Sequence, residues 1–118
     1  MKLNFIIIIF CIFLSSCSKQ EKEISVIKEL DQSREMVATY EEGYVALEKG
    51  DTYFAAQKFL EAELLYPQSL WASKSALMAS YSHYLQNYYS EAISNLNRYL
   101  NTYPTDTNVA YAHYLIAM

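Results

Sequence analysis

The chain has 118 residues, 53% of them hydrophobic, with 13 acidic and nine basic side chains and a formal charge of −4. Such a content suits one small packed domain, and the acidic balance excludes a phosphate-neutralising face, so no nucleic acid is expected as a partner. With only two cysteines, Cys11 and Cys17, both near the N-terminus, a disulfide framework is excluded as well.

Lys2 supplies one positive charge, Leu3 to Leu14 form an apolar run broken only by Asn4, and the small residues Ser15 and Ser16 follow. That layout predicts an export signal over residues 1–16. An uncleaved membrane anchor needs roughly 20 apolar residues, and this run is well short of that. Leu14-Ser15-Ser16-Cys17 resembles the bacterial lipobox, in which the cysteine thiol is acylated and becomes the mature N-terminus. The resemblance implies a covalent lipid on Cys17 and no other cofactor. It also implies a mature chain of 102 residues, with eight basic residues against thirteen acidic ones. Acyl chains contribute about 0.8 kcal/mol per buried methylene, so several of them tether a protein without a spanning helix. Ser18 is not the aspartate that holds many Gram-negative lipoproteins at the inner membrane, which implies an outer-membrane address facing the periplasm. Once Cys11 is discarded no disulfide is available there, and packing alone must hold the domain.

Residues 17–33 read as lipid anchor and tether, with Ser18 to Glu23 a polar, flexible start. Eleven of the thirteen acidic residues lie between Glu21 and Glu63, while the second half is nearly neutral and rich in tyrosine. From residue 34 to 118 the pattern is helical and repeated. Gly50 ends one helix and Pro67 the next, and Asn87 and Pro104 take the same places 37 residues later. That offset pairs Ala55 with Ala92, Phe59 with Leu96, Leu60 with Asn97, Ala62 with Tyr99, and Tyr66-Pro67 with Tyr103-Pro104.

Small and large residues spaced four and three apart, with proline five further on, let two antiparallel helices interlock and then turn. Ala55, Phe59, Ala62 and Pro67 resemble the second helix of a tetratricopeptide repeat, and Gly43 and Ser80 match the small residue of its first helix. Thr39 and Ala76 stand where that repeat usually has an early aromatic, and Ala46 and His83 where it has a later tyrosine. The expected fold is all-α: tetratricopeptide-like antiparallel helix pairs in a right-handed solenoid, with units at about 36–69 and 73–106. Asn108 to Leu115 reads as the first helix of a third unit, 108–118, whose partner helix is not reached, so the array is incomplete at the C-terminus and is expected to be the front of a longer chain.

First helices line the concave side of such arrays. The register places Val37, Tyr40, Tyr44 and Leu47 on one stripe, with Lys74, Leu77, Tyr81 and Tyr84 as equivalents in unit two and Tyr111, Tyr114 and Met118 in unit three. Tyrosine joins a large apolar face to a hydroxyl with few rotatable bonds, so a tyrosine-lined groove would grip extended segments of varied sequence. The alternative is that these rings fill the interface between helices.

The resemblance narrows over Leu65-Tyr66-Pro67-Gln68-Ser69, Ala72, Ala76 and Ala79 to Tyr84. It continues through Tyr88 to Ile93, Leu96, Arg98-Tyr99-Leu100, Tyr103-Pro104 and Val109 to Leu115. Together with the lipobox these segments resemble the BamD family of outer-membrane assembly lipoproteins. What the resemblance implies is a non-enzymatic subunit of the β-barrel assembly complex, with a BamA-type barrel-assembly subunit, other lipoprotein subunits and unfolded outer-membrane protein precursors as partners. The front repeats would receive the precursor through its C-terminal signal, with an aromatic end packed against Tyr40, Tyr44, Tyr81 or Tyr84; the half that docks BamA would lie outside these residues. A periplasmic repeat lipoprotein that scaffolds cell-wall or pilus machinery is the competing reading.

Lys74, on the stripe, is the expected partner for a terminal carboxylate; Arg98 is expected to be a solvated or interhelical charge. His83 and His113 sit at apolar-rich helical positions without ligand-spaced companions, which predicts packed histidines and no metal. Two pairs, Glu41-Glu42 and Glu61 with Glu63, read as an exposed acidic face, and Trp71 as packing between units. The few glycines cannot build a phosphate loop or nucleophile elbow, so no enzyme activity is expected.

Overall fold

The computed structural model describes residues 21–118, with side chains from residue 28 onward; the export signal, Cys17 and the first residues of the tether lie outside the described residues. Five helices follow one another: α1 (Glu21–Glu48), α2 (Thr52–Leu65), α3 (Leu70–Leu85), α4 (Tyr89–Thr102) and α5 (Val109–Ala117). Helix α1 begins at Glu21 and so runs through the segment read as tether. Each helix packs on the next, and α1 also reaches α3, which is the arrangement of stacked helix pairs.

Local chemistry sets the boundaries. Gly50 takes a φ of 80° after α1 and Asn87 a φ of 62° after α3, the left-handed turn that these residue types adopt most cheaply. Asp51 then caps α2 by accepting from the Phe54 amide at 3.1 Å, and Ser69 caps α3 by accepting from Ala72 at 3.2 Å. Pro67 and Pro104 lie in the turns that separate one pair from the next.

The paired positions of the two units are buried alike: Ala55 with Ala92, Phe59 with Leu96, and Ala62 with Tyr99. Leu60 is half-buried while its equivalent Asn97 is exposed, so that pair lies at the edge of the core. One apolar cluster joins Met36, Tyr40, Ala55, Phe59 and Ala79; a second joins Leu77, Leu96, Tyr99, Ala112 and Leu115. At Gly43 α1 packs tightly on α2, since a Cβ there would meet the Phe59 ring at 3.1 Å. Phe59 is fully buried against it, worth about 3–5 kcal/mol relative to alanine.

A polar network fastens unit one to unit two. Glu63 is buried, not part of an exposed acidic face as the sequence suggested. Arg98 on α4 donates to its two oxygens at 2.6 and 2.7 Å, and the Tyr103 hydroxyl donates at 2.9 Å. Arg98 is thus an interhelical charge, and the hydrogen bond to Glu63 raises its pKa. Burial and the same carboxylate push Tyr103 up to about 12. Asp106 ties the next junction, accepting from Ser73 and Tyr99 hydroxyls at 2.6 Å each and from the Asn108 backbone amide at 2.8 Å in the turn that leads into α5. His83 is buried, and burial lowers its pKa against the opposing pull of Glu91. His113 is exposed, contrary to the packed role expected of it, because α5 turns only Ala112 and Leu115 fully inward.

Two outcomes follow for stability. Arg98→Leu strands a buried carboxylate and is expected to cost about 1–3 kcal/mol in urea unfolding, a range held low because the guanidinium is partly exposed. Adding Glu63→Leu, which copies its repeat equivalent Leu100, should restore most of that loss. Burial raises the pKa of Asp106, but the hydrogen bonds from Ser73, Tyr99 and Asn108 outweigh it and hold the group below its ordinary 3.8. A depressed pKa gives stability that is present above the unfolded value and lost as pH falls through the folded one. Thermal melts should therefore decline as pH drops below about 4, and Asp106→Asn should flatten that decline while lowering stability at neutral pH.

Candidate functional site

The predicted stripe resolves into two aromatic groups. In the first, Pro67 and the Ser69 cap start α3 so that Trp71 lands against α1, with its ring 5.0 Å from that of Tyr40 and edge-on to it. Tyr40 in turn packs 5.1 Å from Phe59 and is 6% exposed. The Lys74 ammonium lies 4.7 Å above the Trp71 ring and 5.2 Å above the Tyr40 ring, so a cation bridges the seam between α1 and α3. Contacts of this kind are worth about 0.5–1 kcal/mol at exposed sites and fix where the charge stands. Tyr44, one turn beyond Tyr40, is about half exposed. Burial, followed by the neighbouring Tyr44, raises the pKa of Tyr40.

The second group spans α3 and α5. Tyr81 and Tyr84 stack with centroids 6.4 Å apart, Tyr111 and Tyr114 at 6.2 Å, and Tyr89 at the start of α4 leans on Tyr84 at 5.8 Å. Leu77 of α3 shares an apolar cluster with Ala112 and Leu115 of α5, with Tyr81 packed against it; there the pKa of Tyr111 is raised first by burial and then by Tyr81, Tyr114 and Tyr84. Tyr111 and Tyr114 keep 42% and 58% of their surface exposed, and Tyr81 and Tyr84 are half-buried.

Not every residue of the stripe presents surface. Tyr40 and Leu77 belong to the core and form its floor, and Leu47 and Val37 are half-buried against the first cluster. Tyr44, Lys74, Tyr81, Tyr84, Tyr111 and Tyr114 remain accessible, with Met118 at the end of α5. Beside Lys74 a groove of about 610 Å³ runs between the two inter-unit turns, with Ser69, Leu70, Ser73, Tyr103, Pro104 and Asn108 among its walls. Trp71 does pack between units as expected, but its hold on Lys74 was not read from the sequence. Nor was Tyr89; its repeat equivalent is Thr52, so register alone gives it no aromatic role.

The surface offers ring faces, hydroxyls and one fixed cation. Among the described residues no three histidine, cysteine or carboxylate side chains converge as metal ligands. The chemistry on display is that of contact: aromatic packing, hydrogen bonding and a single positive charge for an anionic group.

Comparison with known proteins places this arrangement in a family. Residues 32–118 match the family described as YfiO, outer membrane lipoprotein. The outer membrane protein assembly factor BamD of Caulobacter vibrioides is 32% identical over 105 residues, which cover 89% of this chain and 33% of the relative. The protein of the same name from Rickettsia prowazekii is 34% identical over 79 residues, 67% of this chain and 32% of the relative. That from Xylella fastidiosa (strain Temecula1) is 24% identical over 104 residues, 88% of this chain and 34% of the relative. The chain therefore spans about a third of the length of these relatives. No solved structure gives a significant match. Because the family match takes in most of α1 and all of α2 to α5, the chain belongs to the YfiO/BamD family of outer membrane lipoproteins.

Proposed function

We propose that this chain works as a non-enzymatic, lipid-anchored subunit in the assembly of outer-membrane proteins, and that its aromatic stripe holds segments of unfolded barrel precursors. The shared name of the relatives, outer membrane protein assembly factor, supports the process. The accessible tyrosines on α1, α3 and α5 support the role within it, and the single observation that carries it is their exposure beside a lysine held in place by two rings.

An extended precursor segment has aromatic side chains and free backbone amides. Its rings pack against Tyr44, Tyr81, Tyr84, Tyr111 and Tyr114, whose two side-chain torsions leave little entropy to lose, and the hydroxyls take up backbone groups in any register. Such contacts tolerate varied sequence, which a receiver of many clients requires. Lys74 meets a terminal carboxylate as a point charge, while Trp71 and Tyr40 keep its ammonium from wandering. Cys17, once acylated, keeps this face close to the membrane on its periplasmic side. A BamA-type subunit and further lipoprotein subunits complete the assembly. The cell-wall or pilus scaffold gains no support from the relatives.

The test is fluorescence anisotropy with a labelled peptide ending in phenylalanine, titrated with the full chain in non-ionic detergent micelles. Saturable binding is expected, weakened at least tenfold by Tyr44→Ala with Tyr81→Ala and about two- to fivefold by Lys74→Gln. A C-terminally amidated peptide should lose that same two- to fivefold against the parent chain and lose nothing further against Lys74→Gln. Binding that both variants leave unchanged contradicts the assignment.

A further inference from the structure

A second groove lies on the other side of the first helix pair, and nothing in the proposed client-holding role uses it. It measures about 590 Å³ and, among the described residues, is formed by α1, α2 and the turn between them. Ala38, Val45, Ala46 and Phe54 make its apolar floor. Val45 and Phe54 are 45% and 44% exposed and line the same groove.

The 37-residue repeat shows what sort of body covers this surface. Its positions on α1 correspond to positions on α3, Ala38 to Ser75, Glu42 to Ala79, and Val45 to Ser82. Those three α3 residues are fully buried, and Ala79 sits in the cluster formed with Ala55, Phe59 and Ala62 of α2. The Gln86 amide, equivalent to Lys49, donates to the Thr52 carbonyl at the start of α2 at 3.0 Å. In unit two, then, this face is covered by a helix lying along it; in unit one no helix among the described residues covers the same face.

Its chemistry also differs from that of α3. Glu41, Glu42 and Asp51 rim the groove and only Lys49 among its lining residues opposes them. Lys58 pairs with Glu42 at 2.9 Å and with Glu61 at 3.0 Å, which leaves Glu41 and Asp51 as the rim carboxylates without an ion-pair partner among the described residues. Small Ala38 and Ala46 permit a close backbone approach, and surplus carboxylates on the rim select positive charge. We infer that the outer α1–α2 groove docks an amphipathic helix of a partner protein, one whose apolar stripe is flanked by lysine or arginine. The apolar run Leu3 to Leu14 holds no lysine or arginine within it and has only Lys2 at its border, so it offers no charged flank along its length to match this rim.

The probe is a labelled 18-residue helical peptide with an alanine and leucine stripe bordered by lysines, paired with a copy bordered by glutamates. Anisotropy with the full chain in non-ionic detergent is expected to saturate for the lysine peptide only and to weaken as salt rises. Val45→Lys should reduce affinity at least tenfold and Glu41→Lys about three- to tenfold, while both variants keep the parent melting temperature and the parent affinity for the phenylalanine-ended peptide. Failure of the lysine peptide to bind, equal binding of the glutamate copy, or affinity unmoved by both substitutions would overturn the inference. So would self-association of the chain that Val45→Lys abolishes, since a second copy would then occupy the groove.

Discussion

The buried carboxylate of Glu63 is the interaction on which the relative placement of the two units rests. Helix pairs of this kind hold their internal geometry by alanine and phenylalanine packing, which is strong but non-directional. A carboxylate held by both arms of Arg98 and by the Tyr103 hydroxyl is directional, and it crosses from α2 to α4 and to the turn that follows. Asp106 repeats the device one step on, linking α3 through Ser73, α4 through Tyr99, and the start of α5 through Asn108. Such bonds cannot slide as an apolar contact can, and so they set the angle at which α3 presents itself to α1 and α5 to α3.

That angle decides whether the stripe is continuous. Lys74 reaches Tyr40 across the first seam, and Tyr111 shares its surroundings with Tyr81 and Tyr84 across the second. The first seam adjoins an acidic anchor, since Ser73, next to Lys74, donates to Asp106. A rigid surface whose tyrosines already stand in place loses little entropy on gripping an extended chain. In the proposed role, binding is concentrated on one face, while the acidic α1–α2 groove faces elsewhere, where we infer a partner of opposite charge.

The parts of the fold legible in the sequence are those specified by local chemistry. Gly50, Asn87, Pro67 and Pro104 mark their turns by backbone preference alone, and the matched Ala55, Phe59 and Ala62 place the core face of α2 because helical spacing is fixed. Glu63 was hidden because its burial depends on Arg98, thirty-five residues away. The repeat did hold a sign of it, since the equivalent position is the apolar Leu100 and a glutamate there needs a partner to be tolerated. His113 misled for the opposite reason: apolar neighbours in sequence say nothing of a face that α5 turns outward. Of the stripe, register assigned the positions, but whether a ring lies on the floor, as Tyr40 does, or stands free, as Tyr44 does, depends on how close Trp71 and Phe59 come from neighbouring helices.

The central claim is that unfolded barrel precursors rest on the tyrosine face of the α1, α3 and α5 helices. It is tested most directly in living cells by site-specific photocrosslinking, with benzoylphenylalanine placed in turn at Tyr44, Tyr81 and Tyr114 and, on the opposite surface, at Leu64, which is 77% exposed. Crosslinks to newly exported barrel proteins at the three tyrosine positions and none at Leu64 are what the account predicts. Crosslinks that are absent from the tyrosine face, or as strong at Leu64, would contradict it.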